Sequence, residues 1–177
     1  MESMETYRAI VNKRDTRALR PDPIPDEVLT RILQAGRMAG SAKAAEPVRL
    51  VVLKDAARRA ELAACGNFTP HLLAAPVVVA IVLVPEVDQP HGQFAIFRGP
   101  FDAGRAAQNM MLAAWEAGIS SCPASMHHAE AAAKVLGLPA GHVVSNTIAF
   151  GYPAGADPVT GQRPRMPLDD YVRWERW

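Results

Sequence analysis

Cysteine is scarce in this 177-residue chain, with Cys65 and Cys122 the only two. They stand far apart and lack the close spacing of a zinc or redox pair, so they read as separate packed thiols and not as a disulfide. Charge of one sign is missing too: 19 Lys and Arg face 18 Asp and Glu. A balance so near zero excludes a broadly basic surface for nucleic acid or an anionic membrane, and any anion site must be a local cluster. The longest apolar stretch, Leu72 to Val84, is broken by Pro76 and is shorter than the roughly 20 residues of a membrane-spanning helix. It reads as a helix end followed by a buried strand. The first residues, Met1 to Glu5, lack the basic and apolar parts of a secretory signal, which makes the cytoplasm the expected compartment. Repeats and low-complexity linkers are absent, and the length suits one domain spanning residues 1–177.

The familiar catalytic motifs are also missing. There is no Gly-x-x-x-x-Gly-Lys loop, no Gly-x-Gly-x-x-Gly turn, no His-Glu-x-x-His and no Gly-x-Ser-x-Gly elbow. His127 and His128 are adjacent, so their side chains diverge at a helix start, and nothing near them completes a metal site; they read as surface or capping residues. Cys122 precedes Pro123 and carries no local nucleophile signature, so core packing is favoured over catalysis.

What is present is an alternation of helical and strand patterns. Met4 to Asn12 reads as a short helix. Ile24 to Met38 reads as a better one, with Pro25 suited to the first position, Asp26 and Glu27 complementing the helix start, and Val28, Ile32, Leu33 and Ala35 forming a stripe. The longest is expected from about Asp102 to Ala117, with Ala106, Met110, Ala113 and Ala114 on one face and Gly118 as its stop. Ala129 to Leu136 ends at Gly137 and Pro139, and Ala56 to Ala64 reads as a shorter helix. Val48 to Leu53, Val77 to Val84 and Val143 to Phe150 are β-branched runs bounded by Pro, Gly or Asp, and Ile119 to Cys122 adds a short fourth piece. The strands are too few and too irregularly ordered for a doubly wound nucleotide fold, so an α+β domain with one sheet between helices is expected. The connection from Pro85 to Pro100 is long enough to be functional, as a lid or a source of specificity. Beyond Tyr152 the tail is expected to form a Pro-led helix ending in Trp174 and Trp177, two residues that need a surface such as a partner subunit to cover them.

Two basic clusters remain, Lys13-Arg14-Asp15-Thr16-Arg17 near the start and Arg163-Pro164-Arg165 near the end. Either they are solvated turns, or they meet in space and hold one phosphate.

Five segments in order resemble the nitroreductase-like flavoproteins over almost the whole chain. The first cluster, followed by Arg20-Pro21-Asp22-Pro23-Ile24-Pro25-Asp26-Glu27-Val28-Leu29, looks like that family's Arg-Arg-(Ser or Asp)-x-Arg turn and next helix. Met38-Ala39-Gly40-Ser41-Ala42-Lys43-Ala44-Ala45-Glu46-Pro47 is similar to its Ala-Pro-Ser-x-x-Asn-x-Gln-Pro loop. Phe101 to Ala114 resembles its central dimer helix and leads into Gly118-Ile119-Ser120-Ser121-Cys122. Ala149-Phe150-Gly151-Tyr152-Pro153 and Arg163-Pro164-Arg165-Met166-Pro167-Leu168 resemble its last strand and phosphate-contacting tail.

The resemblance implies a mainly antiparallel central sheet flanked by helices. It also implies a homodimer joined by the long helix, with the C-terminal tail reaching the partner. A flavin mononucleotide (FMN) is expected in each of two interfacial sites, with NADH or NADPH as reductant. Lys13, Arg14, Asp15, Arg17, Arg163 and Arg165 are then expected around the phosphate and ribityl chain, with Arg17 approaching the pyrimidine edge of the ring. Ser41, Ala42, Lys43 and Ala44 would lie along the cofactor, and the backbone of Cys122, Pro123, Ala124 and Ser125 would lie near N5. No side-chain acid or base is needed for hydride transfer. The implied activity is hydride transfer through FMN to an electron-poor small molecule such as a nitroaromatic, quinone or enone. A dehalogenase or flavin-cleaving relative, as in 5,6-dimethylbenzimidazole synthesis, and a non-catalytic flavin-binding dimer are the alternatives. Departures are also visible: Ala44 stands for the family's Asn, Glu46 for its Gln and Val48 for an aromatic residue, while Asp15 stands where Ser is common. Asp15 is expected to order Arg14 or Arg17 or to bond the ribityl hydroxyls, and Glu46 to pair with Lys43 or Arg49.

Overall fold

The computed structural model describes residues 6–41, 44–85, 95–155 and 165–177. Its elements run α1 (Thr6–Asn12), α2 (Asp26–Arg37), β1 (Val48–Leu53), α3 (Ala56–Ala63), α4 (Pro70–Ala74), β2 (Val77–Leu83), α5 (Ala95–Glu116), β3 (Ser120–Ala124), α6 (Ala129–Leu136), β4 (Val143–Gly151) and α7 (Leu168–Tyr171). The four strands form one antiparallel sheet in the order β1-β2-β4-β3, as the α+β expectation requires.

The sheet separates two cores because alternate residues of a strand point to opposite faces. Val77, Val79 and Ile81 of β2 join Ile148 and Phe150 of β4 against Leu29 and Ile32 of α2 and Met110 and Ala114 of α5. On the other face Val78 and Ala149 meet Leu62 of α3, Leu72 of α4 and Ala132 of α6. Strand β2 is covered on both faces and flanked on both sides, which is why its sequence is a continuous apolar run instead of an alternating one. Helices α2 and α5 come close because position 36 has no side chain: a Cβ there would lie 2.7 Å from Met110 Cγ. Both cysteines are buried and unpaired, in agreement with the packing reading.

Four expected boundaries moved. Helix α5 starts at Ala95 and not near Asp102, with Pro100 inside it. A proline costs roughly 3 kcal/mol in a helix interior, but Ala103, Ala106 and Met110 bury fully just beyond it and keep the helix going. Pro25 is the N-cap of α2 and not its first helical residue. Strand β3 runs on through Pro123 to Ala124, two residues past the expected end, and proline is tolerated there because β3 is an edge strand. The tail helix is only Leu168–Tyr171, so Trp174 and Trp177 lie beyond it; both are fully or largely exposed. The core of the Pro85 to Pro100 connection, residues 86–94, lies outside the described residues.

Candidate functional site

The first basic cluster leaves α1 and runs along the outer edge of β3. Asp15 bridges Ser121 in parallel, and Thr16 N–H donates to Ser121 O at 3.0 Å. Further on, Arg20 N–H donates to Tyr152 O at 2.8 Å and Ala154 N–H to Ala18 O at 2.9 Å, so the segment is stitched to the ends of both β3 and β4. Strand β3 follows α5 directly because Gly118, at φ 73°, makes the left-handed turn that other residues resist.

Within this segment the side chains divide. Lys13 turns inward: its Nζ pairs with Asp15 and lies 3.4 Å from Met111 Sδ, leaving the side chain only 8% exposed. Asp15 therefore orders Lys13, and not Arg14 or Arg17 as the sequence suggested. Arg14 is exposed and donates from Nη1 to Val11 O at 2.7 Å and Lys13 O at 2.9 Å, bonds that bend it back on its own turn. Arg17 is exposed, and its positive charge acts on the buried Cys122 thiol. Burial pushes that thiol's pKa up, Asp15 adds to the rise, and Arg17 and Lys13 oppose it. Cys122 is thus a neutral packed thiol and not a poised nucleophile.

Two buried polar atoms beside this edge have no hydrogen-bond partner among the described residues: Ser121 Oγ on β3 and His71 Nε2 on α4. The His71 pKa is lowered, first by burial and then by Arg17, while the carbonyls of Pro123 and Cys122 and the Asp15 carboxylate oppose the change. His71 consequently folds as the neutral ring. Because the unfolded chain protonates near pH 6.5 and the folded ring resists it, unfolding takes up a proton below that pH. Stability is therefore expected to fall as pH drops through 6.5. The His71→Phe variant should show a shallower acid-side decline in thermal melts of the apoprotein, and parallel melting curves for the two proteins would contradict the assignment.

The backbone after β3 is fixed by a turn that sequence reasoning missed. Residues 65–69 dock on residues 125–128, with His128 N–H donating to Cys65 O at 2.9 Å and Asn67 N–H to His127 Nδ1 at 3.1 Å. Exposed Phe68 meets the His127 ring edge-on at 5.8 Å. No local pattern marks this docking, because its two partners stand 60 residues apart. A Cβ at position 66 would sit 2.9 Å from Ser125 O and also collide with Thr69 Cγ2. Gly66→Ala must displace the backbone at Ser125, and a stability loss of about 1–3 kcal/mol is expected in a urea melt.

The second predicted loop lies elsewhere, at the end of α2 and against the start of α5. Ser41 Oγ donates to buried Asp102 Oδ2 at 2.7 Å and accepts from Glu46 N–H at 3.0 Å. Ala44 and Glu46 hold φ of 52° and 47°, a conformation that costs non-glycine residues energy and is maintained here by that clasp. Glu46 meets Arg49 through its backbone carbonyl, at 2.8 Å, and not through its carboxylate. Ala42, Lys43 and Arg163 lie outside the described residues, and Arg165 is exposed. A groove of about 470 Å³ opens beside the clasp, with Arg37, Arg49 and Asp102 among its polar lining and Val48, Leu50 and Val52 of edge strand β1 along its wall. Thus the 13–17 and 121–125 segments share one surface, whereas Ser41 and Ala44 belong to another face of the same subunit.

A class follows from this: an α+β domain with a cationic N-terminal segment laid along the strand that succeeds its longest helix. The nitroreductase family model matches residues 10–152, and the chain belongs to that family. A Vibrio harveyi NADPH-flavin oxidoreductase is 30% identical over 92% of this chain and 70% of its own length. A Thermus thermophilus NADH dehydrogenase is 26% identical over 97% and 96% of the two chains. Nitroreductase A from Vibrio parahaemolyticus superimposes with a TM-score of 0.88 at 25% identity, covering 99% of this chain and 77% of that one.

Proposed function

We propose that this chain is an NAD(P)H-dependent FMN oxidoreductase that passes hydride to an electron-poor small molecule. The observation that carries the reading is the stitching of residues 13–17 to the edge of β3, which puts three cations and one carboxylate beside the backbone of Ser121 to Ser125. The donor chemistry fits an anionic, planar group: guanidinium at Arg17, backbone amides, and the unsatisfied Ser121 hydroxyl. FMN when bound supplies the hydride acceptor, at N5, and the stacking surface.

The residues divide the remaining work. Arg14, together with Arg163 and Arg165 from the tail, supplies positive charge for the phosphate. Lys13 and Asp15, already paired, hold the turn and face the ribityl hydroxyls. Arg17 stands at the pyrimidine edge, where a positive charge favours the reduced ring. Pro123 and Ala124 form a floor, and the amides near Ser125 and the end of Cys122 orient the ring at N5. Ser41 and Ala44 lie on the other face of the subunit, and the loop they bound is proposed to reach the cofactor of a second copy, with Ala42 and Lys43 as its further contacts, so the reading requires a homodimer. Exposed Met166, Leu168, Tyr171, Trp174 and Trp177 in the tail are the apolar surface that a partner would cover. We place the protein in the cytoplasm, where reduced nicotinamides are made; among the described residues no helix is long and apolar enough to cross a membrane.

Nitroaromatics, quinones and enones are the proposed acceptors, because one stacked site must admit nicotinamide and acceptor in turn. The test is anaerobic: FMN-loaded protein mixed with NADH or NADPH should lose its flavin absorbance within seconds and recover it on adding a quinone. Bound flavin that neither nucleotide bleaches would favour the non-catalytic dimer instead.

A further inference from the structure

Phe68 has no part in the roles above, yet its ring is 74% exposed. One apolar side chain on a loose loop would mean little, but this one stands on a turn that is tied down at both ends. Buried Thr69 shares its hydroxyl proton between Ala63 O, at 2.6 Å, and Gly66 O, at 3.1 Å. Across the turn, Cys65 O accepts from His128 N–H at 2.9 Å and His127 Nδ1 accepts from Asn67 N–H at 3.1 Å. An exposed ring is thus held in a fixed place.

The bond to His127 also assigns a proton. An amide N–H is received only by a bare ring nitrogen, so the proton of the neutral imidazole sits on Nε2. His127 is exposed, and among the described residues its Nε2 has no hydrogen-bond partner. The Phe68 and His127 rings meet edge-on, with centroids 5.8 Å apart and planes at 66°. Side by side they present an apolar plate and one hydrogen-bond donor. Both lie at the end of β3: a Cβ on Gly66 would be 2.9 Å from Ser125 O and 3.2 Å from Met126 Cε. His127 follows Ser125 by two residues, which bounds their Cα separation at about 7 Å.

On the strength of the FMN reading above, in which the Ser125 amide borders N5, we propose that Phe68 and His127 form the specificity-determining wall of the acceptor site. Its ligands are planar aromatic acceptors that carry oxygen at the ring edge, quinones and nitroaromatics. Phe68 packs against the acceptor ring, and His127 donates from Nε2 to the quinone or nitro oxygen. Because Nδ1 is already engaged, the ring cannot turn over to present an acceptor nitrogen without breaking its bond to Asn67. The wall therefore favours an oxygen acceptor over a donor group at that place.

The test isolates the second half of the cycle. Photoreduced, FMN-loaded protein, free of nicotinamide, is mixed with 1,4-naphthoquinone or with ferricyanide, which takes electrons without stacking. In Phe68→Ala the naphthoquinone concentration that half-saturates reoxidation should rise roughly tenfold. In His127→Phe, which keeps an aromatic ring and loses both nitrogens, it should rise roughly fivefold. Ferricyanide rates should hold in both. Unchanged naphthoquinone saturation in either variant, or an equal loss with the two oxidants, overturns the proposal. If a variant does not fold, nitrogen NMR of the wild type decides: the His127 Nε2–H signal should shift when naphthoquinone is added to the oxidised, FMN-loaded protein, and a signal that stays in place overturns the proposal. A chain that takes up no FMN overturns the cofactor reading together with this one, and its lack of flavin absorbance identifies that case.

Discussion

Replacing Arg17 with methionine is expected to slow reduction of bound FMN by NADH or NADPH roughly 100-fold, the cost of removing one preorganised charged donor from a developing negative charge. The side chain is exposed in the subunit and its backbone is held by the β3 and β4 stitching, so the substitution removes charge without disturbing a core. The reduction potential should fall with the rate, because the lost cation favoured the reduced ring more than the oxidised one. FMN affinity should change far less, since the proposed function leaves the phosphate to Arg14 and the tail arginines. Stopped-flow bleaching and a dye-equilibrated potential measure the two effects; an unchanged potential with a slower rate would show that Arg17 positions the nicotinamide instead.

The second large effect is structural. Phe150 is completely buried, and on β4 it pairs with both Val77 and Ser121. Phe150→Ala removes the largest fully buried side chain among the described residues from the core between the sheet and α5, at a cost of about 3–5 kcal/mol. That is a large share of the roughly 5–15 kcal/mol by which a domain is stable. A urea midpoint should drop accordingly, and FMN retention should fall with it, because Ser121 loses its well-packed cross-strand neighbour. A stability loss below about 1 kcal/mol would mean that the core closes around the vacancy.

Much of this architecture was written in local patterns. The apolar stripe of α2, the Gly137 and Pro139 stop of α6 and the three β-branched runs all act within a few residues, and the structure has them. The early turns of α5 were hidden because Pro100 signals a boundary locally, while burial of residues after it decides otherwise. The site was legible in part. Basic residues at 13–17 and a strand after the long helix could be read, but their side-by-side placement depends on a parallel bridge across more than a hundred residues. His71 was invisible for the same reason. In sequence it is one residue of a short helical patch, and only tertiary packing sets its ring against β3. The Lys13 and Asp15 pairing was missed because a spacing of two residues does not by itself fix which cation a carboxylate chooses.

The parallel bridge at Asp15 has one more consequence. Edge strands with free N–H and C=O groups invite foreign strands, and residues 15 to 20 occupy that edge of β3 and the adjoining end of β4. The same short piece of chain is thus both a charge carrier and a selvage, the bound margin that keeps the fabric from unravelling. Any breathing of this margin moves the cations and the β3 backbone in the same direction, so their spacing survives fluctuations that would blur it if they were mounted on independent supports. Trimming the N-terminus to residue 20 would therefore do more than delete positive charges: it would strip the hem from the sheet and leave a sticky border in its place.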